Sequence, residues 1–226
     1  MTHLSVILPV IELTEFHARL TDNAIRNLRQ TAAGPFELVI VETAESPRLV
    51  SAADIHVHKG ERSCYSADFN AGLVAASGTF FAQTANDLVL GAGWDDALLA
   101  PWRSRSDCGA ATLLSTAHSA EHRTDIEEGF HGPIMAFPRG WTLDAEEFPN
   151  IFSDTDLVMR IYREGRRMYR NWSVRAHHIG GGEQTWRDVA GPDKGAIFMA
   201  ARERFRARHQ DCGLMMFRAL YEGWRV

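Results

Sequence analysis

Asp87 follows Asn86 directly after the apolar run Thr79–Thr84. A short acid in such a place is a hard oxygen ligand suited to Mg2+ or Mn2+, which in turn hold phosphate oxygens. The competing reading is a turn, because Asn and Asp both bond to their own backbone. A second acidic site is Ser153-Asp154-Thr155-Asp156, just ahead of the amphipathic stretch Leu157, Ile161 and Tyr162. Ser or Asp in front of a helix caps its free N–H groups, which gives one of the two carboxylates a structural task. The other is then free to face a pocket as a general base. A third segment, Ala176-His177-His178-Ile179-Gly180-Gly181-Gly182, joins two imidazoles to a backbone without side chains. Glycines allow close approach to a ligand, and a neutral imidazole can complete a metal shell begun by carboxylate and phosphate oxygens; a satisfied surface histidine is the alternative. Asn70 and Gly72 read as a helix start and a packing glycine, and Glu42 as a solvated acid or an acceptor for a ribose or base edge.

These residues need elements to hold them. Leu4–Pro9, Phe36–Glu42 and Ile55–His58 are β-branched runs that predict strands, and Phe16, Leu20, Ala24, Ile25 and Leu28 recur at helical spacing between the first two. Such alternation predicts βαβ units and a largely parallel sheet in a Rossmann-like opening. Val10-Ile11-Glu12-Leu13 stands where a dinucleotide-binding G-x-G-x-x-G belongs, which disfavours a dehydrogenase. A helix over Tyr65–Ala76 and a strand over Thr79–Thr84 come next, placing Asp87 past a strand's C-terminal end, where ligands of open α/β sheets gather. Leu90–Trp102 predicts a helix or turn-helix. Ser104–Gly132, with His118, His122 and His131, shows little periodicity and is expected to be irregular. Pro133–Phe137 predicts a strand, Asp154–Glu164 a helix closed by Gly165, Met168–Val174 a strand, and the chain from Arg187 onward a helix.

The 226 residues suit one domain, and the balance of 45% hydrophobic and 23% charged residues is that of a globular protein. No apolar stretch approaches the ~18 residues that cross a bilayer. Met1–Pro9 lacks the basic start and cleavage site of a secretion signal, so a cytoplasmic location is expected. Cys64, Cys108 and Cys212 form neither a disulfide framework nor a zinc knuckle. The net charge of −5 is uneven: from Arg160 onward 14 Lys and Arg face 7 Asp and Glu, a local +7 that leaves −12 elsewhere. Arg160, Arg163, Arg166, Arg167 and Arg170, interleaved with Tyr162, Tyr169 and Trp172, suit a nucleotide, a nucleic acid or solvent. Arg202, Arg204, Arg206 and Arg208 extend this basic character.

Taken in chain order from Leu4 to about Gly182, these segments resemble family 2 glycosyltransferases of the GT-A fold. Leu4–Val10 looks like that family's first strand and Glu37–Glu42 like its second, with Glu42 where Asp is common. Asn70-Ala71-Gly72 through Gly78 resembles its N-x-G…A-x-G helix. Thr84–Leu90 with Gly93-Trp94 resembles the metal-site motif, although Ala85 replaces the first acid. Phe130–Phe148 resembles the acceptor segment, Phe152–Leu157 with Arg160 and Gly165 the x-D-x-D-L-x-x-R…G helix, and His178–Gly181 the H-x-G-G element. Gln184-Thr185-Trp186-Arg187 does not match the Q-x-x-R-W of processive synthases, which implies single transfer.

The resemblance implies a mixed, mostly parallel α/β sheet flanked by helices. Residues 1–100 would bind the nucleotide sugar, 101–182 would hold acceptor and catalytic groups, and 183–226 would form a helical basic segment. It implies Asp154 as catalytic base and Asp87 with His178, or His177, as ligands of Mn2+ or Mg2+. Pro9, Glu42, Asn70, Asn86 and Asp87 are then expected to contact the donor, and Trp94, Gly132 and Asp156 the acceptor. The implied reaction is inverting transfer from a nucleoside-diphosphate sugar, UDP-linked by analogy, to the hydroxyl of a saccharide or of a nucleic-acid base. Two rivals remain open. A nucleotidyltransferase would carry a Gly-rich basic loop after the first strand, which is missing, and a non-catalytic sugar- or nucleic-acid-binding module would tolerate Ala85.

Overall fold

The computed structural model describes residues 4–61, 63–115, 124–129, 132–179 and 193–210. Strands β1 (Leu4–Val10), β2 (Glu37–Glu42), β3 (Ile55–His58) and β4 (Phe80–Gln83) pair in parallel in the order β3-β2-β1-β4. The sheet continues through β8 (Met135–Pro138), β6 (Cys108–Ser115), β9 (Arg167–His178) and β5 (Leu88–Leu90), with β7 (Ile126–Glu128) also pairing with β9. Only β6 and β9 pair in parallel in this second half; β4–β8, β6–β8, β5–β9 and β7–β9 are antiparallel.

All seven β1 residues are buried because helices cover both faces to which its alternating side chains point. Leu4, Val6, Leu8 and Val10 pack on the face covered by α1 (Glu15–Thr31) and α3 (Trp94–Ser104). On the opposite face Ile7, Val39 and Val41 meet α2 (Tyr65–Ala75) and α4 (Ser153–Arg163). The last described helix, α5 (Lys194–His209), packs Phe205 against Phe148 and Met159.

Two expectations are corrected here. Ser104–Gly132 is not wholly irregular, because β6 and β7 lie within it. Cys108, Ala110, Ala111 and Leu113 of β6 are buried beneath helices, and small residues buried on both sides leave no alternating pattern to read. Leu90 ends a strand instead of opening a helix; α3 begins at Trp94, after Gly93 at φ 75.

The strand directions gather one set of termini. β9 runs parallel to β6, and β6 and β4 are each antiparallel to β8, so the last residue of β9 shares an edge with the C-terminal ends of β1 to β4. Helices α2 and α4 precede β4 and β9 and run back across the sheet, so their N-termini reach the same edge. The crevice between β1 and β4, where the strand order reverses, opens there.

Candidate active site

Asp87 sits between β4 and β5, and its carbonyl accepts a 2.8 Å hydrogen bond from the Ile179 N–H that extends the β5–β9 ladder. That ladder places His178 opposite Leu88 and brings its Nε2 to 3.6 Å from Asp87 Oδ1. His177 pairs with Val89 one step back; alternation turns it to the exposed face, so the fold selects His178 as Asp87's neighbour. Asp87 is 4% exposed. Burial pushes its carboxyl above the ordinary value, against the opposing pull of His178.

Tyr65, the first residue of α2, links this pair to α4. Its hydroxyl donates to the Thr84 carbonyl at 3.4 Å. Burial raises its phenol, a hydrogen bond from Gln83 opposes the rise, and the charges of Asp154 and Asp87 add to it. One hydroxyl therefore feels both carboxylates. Asp154 itself is partly exposed in the first turn of α4, with Oδ1 accepting from Thr155 N–H at 2.7 Å. Gln83 Oε1 and Thr84 Oγ1, at the end of β4, are buried without hydrogen-bond partners among the described residues. Sequence reasoning missed Tyr65, since no spacing rule ties a helix-opening tyrosine to an acid 22 positions later.

Other predicted contacts have structural work to do. Trp94 is 0% exposed, its indole N–H donates to the Leu28 carbonyl at 3.2 Å and its ring meets Phe36 edge-on, so contact with an acceptor is ruled out. Asp156 is also 0% exposed, bonded to Arg160 at 2.8 Å and His209 at 2.9 Å, and has no face left for an acceptor. Both Glu42 oxygens are occupied by the Arg48 and Leu49 N–H groups and by His56, so it organises the loop after β2 and offers little to a ribose. Asn70 bonds the Leu143 backbone through both amide atoms, at 2.8 and 2.9 Å, and Asn86 donates to Thr21 at 3.1 Å. These two asparagines hold the walls of the site. Pro9 is buried within β1 opposite Val41. A Cβ on Gly132 would lie 1.7 Å from Thr112 Oγ1, so that glycine is there for close packing. The expected Ser or Asp cap of α4 is absent as well: Phe152 holds the N-cap position at φ 65 with no side-chain bond.

The basic strip does not present itself as one surface. Arg160 reaches the Thr142 carbonyl, Arg163 that of Arg208, and Arg166 that of Cys108, while Tyr162 and Trp172 bond to Glu128 and Glu127. His118, His122, Phe130, His131, Gly180–Gly182, Gln184–Arg187 and Cys212 lie outside the described residues. Cys64 and Cys108 are free thiols. No described helix is long and apolar enough to cross a membrane.

No family model matches the sequence, and no curated protein does. Among solved structures, a mannosyltransferase of Pyrobaculum calidifontis in complex with GDP-Man and Mn2+ superposes with a TM-score of 0.63 at 21% identity over 81% of this chain and 59% of that one. GalNAc-T7 with UDP, GalNAc and Mn2+ gives 0.61 at 11% identity over 79% of this chain and 44% of that one. The chain has the GT-A fold. It spans less than two thirds of the length of either neighbour.

The GT-A fold places Asp87 and His178 side by side at its open edge, and their chemistry fits a divalent cation. One buried carboxylate oxygen and one imidazole nitrogen, 3.6 Å apart, can both reach an ion whose ligand distances are about 2.1 Å, because two such bonds span up to about 4.2 Å. Among the described residues no cluster of three or more His, Cys, Asp or Glu could hold a metal alone.

Proposed function

We propose that the protein is a metal-dependent, inverting glycosyltransferase that moves one sugar from a nucleoside-diphosphate donor to a hydroxyl acceptor. The observation that carries this is the meeting of Asp87 and His178 at the crevice edge of a GT-A sheet, with Tyr65 bonded to the Thr84 carbonyl beside them and Asp154 in the first turn of α4, whose N-terminus reaches the same edge. The complexes of the two structural neighbours with nucleotides or nucleotide sugars and Mn2+ support it.

In this reading Asp87 and His178 would hold Mn2+ or Mg2+, which would supply positive charge to offset the negative charge developing on the leaving diphosphate. Asp154 accepts the proton of the acceptor hydroxyl as that oxygen bonds to the anomeric carbon from the face opposite the leaving group. The carbon–oxygen bond to the diphosphate breaks, and its electron pair leaves with the nucleoside diphosphate. Tyr65, kept protonated by burial and by two neighbouring carboxylates, holds the strand end at Thr84 beside the reacting groups.

A saccharide acceptor is favoured over nucleic acid because Arg160, Arg163 and Arg166, in and just after α4, are used on internal carbonyls. Ala85, where the resemblance expects an acid, favours one rival, a non-catalytic sugar-binding module. Measuring nucleoside diphosphate release from a donor panel, with and without Mn2+, separates the two. Turnover that requires Mn2+ and falls roughly 10²- to 10⁴-fold in Asp154→Asn is expected. Wild-type turnover in that variant would remove the base assignment.

A further inference from the structure

Phe152, which leads into the turn carrying Asp154, is the only non-glycine residue at positive φ among the described residues. Such a backbone is strained for a bulky side chain and persists only where its surroundings over-determine it. Those surroundings come from α5. The Phe152 ring stacks on Phe205 at 5.3 Å with 22° between planes, and meets Phe198 at 5.4 Å. Phe205 also packs edge-on against Phe148 at 6.2 Å. Two residues beyond Asp154, buried Asp156 accepts from His209 Nε2 at 2.9 Å and forms an ion pair with Arg208 Nε at 3.3 Å, while its other oxygen takes Arg160 at 2.8 Å. Residues of α5 thus grip the positions on either side of Asp154.

We propose that α5 is the positioning element of the base: Phe205 acting through Phe152, and Arg208 and His209 acting through Asp156, fix the first turn of α4 so that Asp154 faces the crevice. This rests on the reading of Asp154 as base. Besides its contacts with Phe148 and Asp144, α5 places a ring stack and a buried hydrogen bond on this one strained turn. If the grip is lost, Phe152 relaxes toward negative φ, the first turn of α4 reorients and the carboxylate leaves its attack geometry. Small displacements of this kind cost turnover more than binding. The donor pair Asp87 and His178 is held by the β5–β9 ladder and does not depend on α5.

His209 Nδ1 makes no hydrogen bond among the described residues, so a glutamine amide can replace the single Nε2–H bond to Asp156. The test compares His209→Leu with His209→Gln in the full chain. It follows hydrogen–deuterium exchange over 152–157, affinity for UDP and GDP by calorimetry, and turnover of the best donor. In His209→Leu, exchange over 152–157 should rise about tenfold or more, while β1 and β2 stay protected. Turnover should fall about tenfold, nucleotide affinity should stay within about twofold, and His209→Gln should restore both exchange and turnover. Phe205→Leu, which keeps apolar volume but removes the ring stack, serves if His209→Leu does not fold. Unchanged exchange over 152–157, or nucleotide affinity falling in step with turnover, overturns the proposal. A wild-type protein that turns over no donor would instead sink the assigned function, and the exchange result would still decide what α5 does.

Discussion

Glu42 illustrates how a buried carboxylate can be stabilising without serving a ligand. Burial alone would raise its carboxyl, but hydrogen bonds from the Arg48 and Leu49 backbone and from His56 prevail and hold it below its ordinary 4.5. A carboxyl depressed by folding contributes stability above its unfolded value, and that stability is lost as pH falls through the folded value. Thermal melts of the wild type should therefore weaken on acidification below about pH 4.5, and Glu42→Gln should flatten that slope. The same variant should cost about 1–3 kcal/mol at neutral pH, because the loop N–H groups lose a charged acceptor. Asp87 is the opposite case, a carboxyl that burial has raised. Without metal, Asp87→Asn removes a costly buried charge and should leave the melting temperature equal or higher. Mn2+ should raise the melting temperature of the wild type and not of the variant, since a ligand stabilises only the state that binds it. A Mn2+ shift that survives in Asp87→Asn would count against the assigned ligand.

At the scale of elements, the parallel half of the sheet was legible because its β-branched runs and the helix of Leu20, Ala24 and Leu28 match the burial found. Asp87 and His178 were legible as chemical types, but their meeting depends on the pairing of β5 with β9, which no local signal in Leu88–Leu90 announces. The Asp154 segment was legible as a helix start, yet what fixes it was not. The strained Phe152 and the contacts of Phe205 and His209 link positions about fifty residues apart, and from Arg187 onward the sequence offered only helical and basic character. Trp94 and Asp156 misled for a related reason: an aromatic ring and an acid look alike in sequence whether they face a ligand or a core. The packing reading of Gly72 carries its own prediction. A Cβ there would lie 2.5 Å from Ile7 Cγ2 in a β-branched side chain locked between strand and helix. Gly72→Ala should destabilise by about 1–3 kcal/mol, measured by urea unfolding, through separation of α2 from β1.

Across the described residues, Arg160, Arg163 and Arg166 near α4 are spent on carbonyls of their own fold and do not line one basic groove. Activity on a saccharide acceptor should accordingly change little between about 50 and 200 mM salt, a range over which phosphate-tracking proteins lose orders of magnitude in affinity. A steep decline would return a polyanionic acceptor to consideration. The mouth of the crevice has a simpler guardian. Ile7 presents its carbonyl to Thr84, so by alternation the nitrogen of Pro9 points toward the same neighbour, past the place where β4 stops at Gln83. A proline nitrogen has no hydrogen to offer, and the two strands cannot go on zipping together there. Pro9→Ala would supply the missing donor and invite β4 to grow by a rung. The cleft should narrow, nucleotide affinity should drop and the fold should melt no earlier, which makes the ring a doorstop at the entrance.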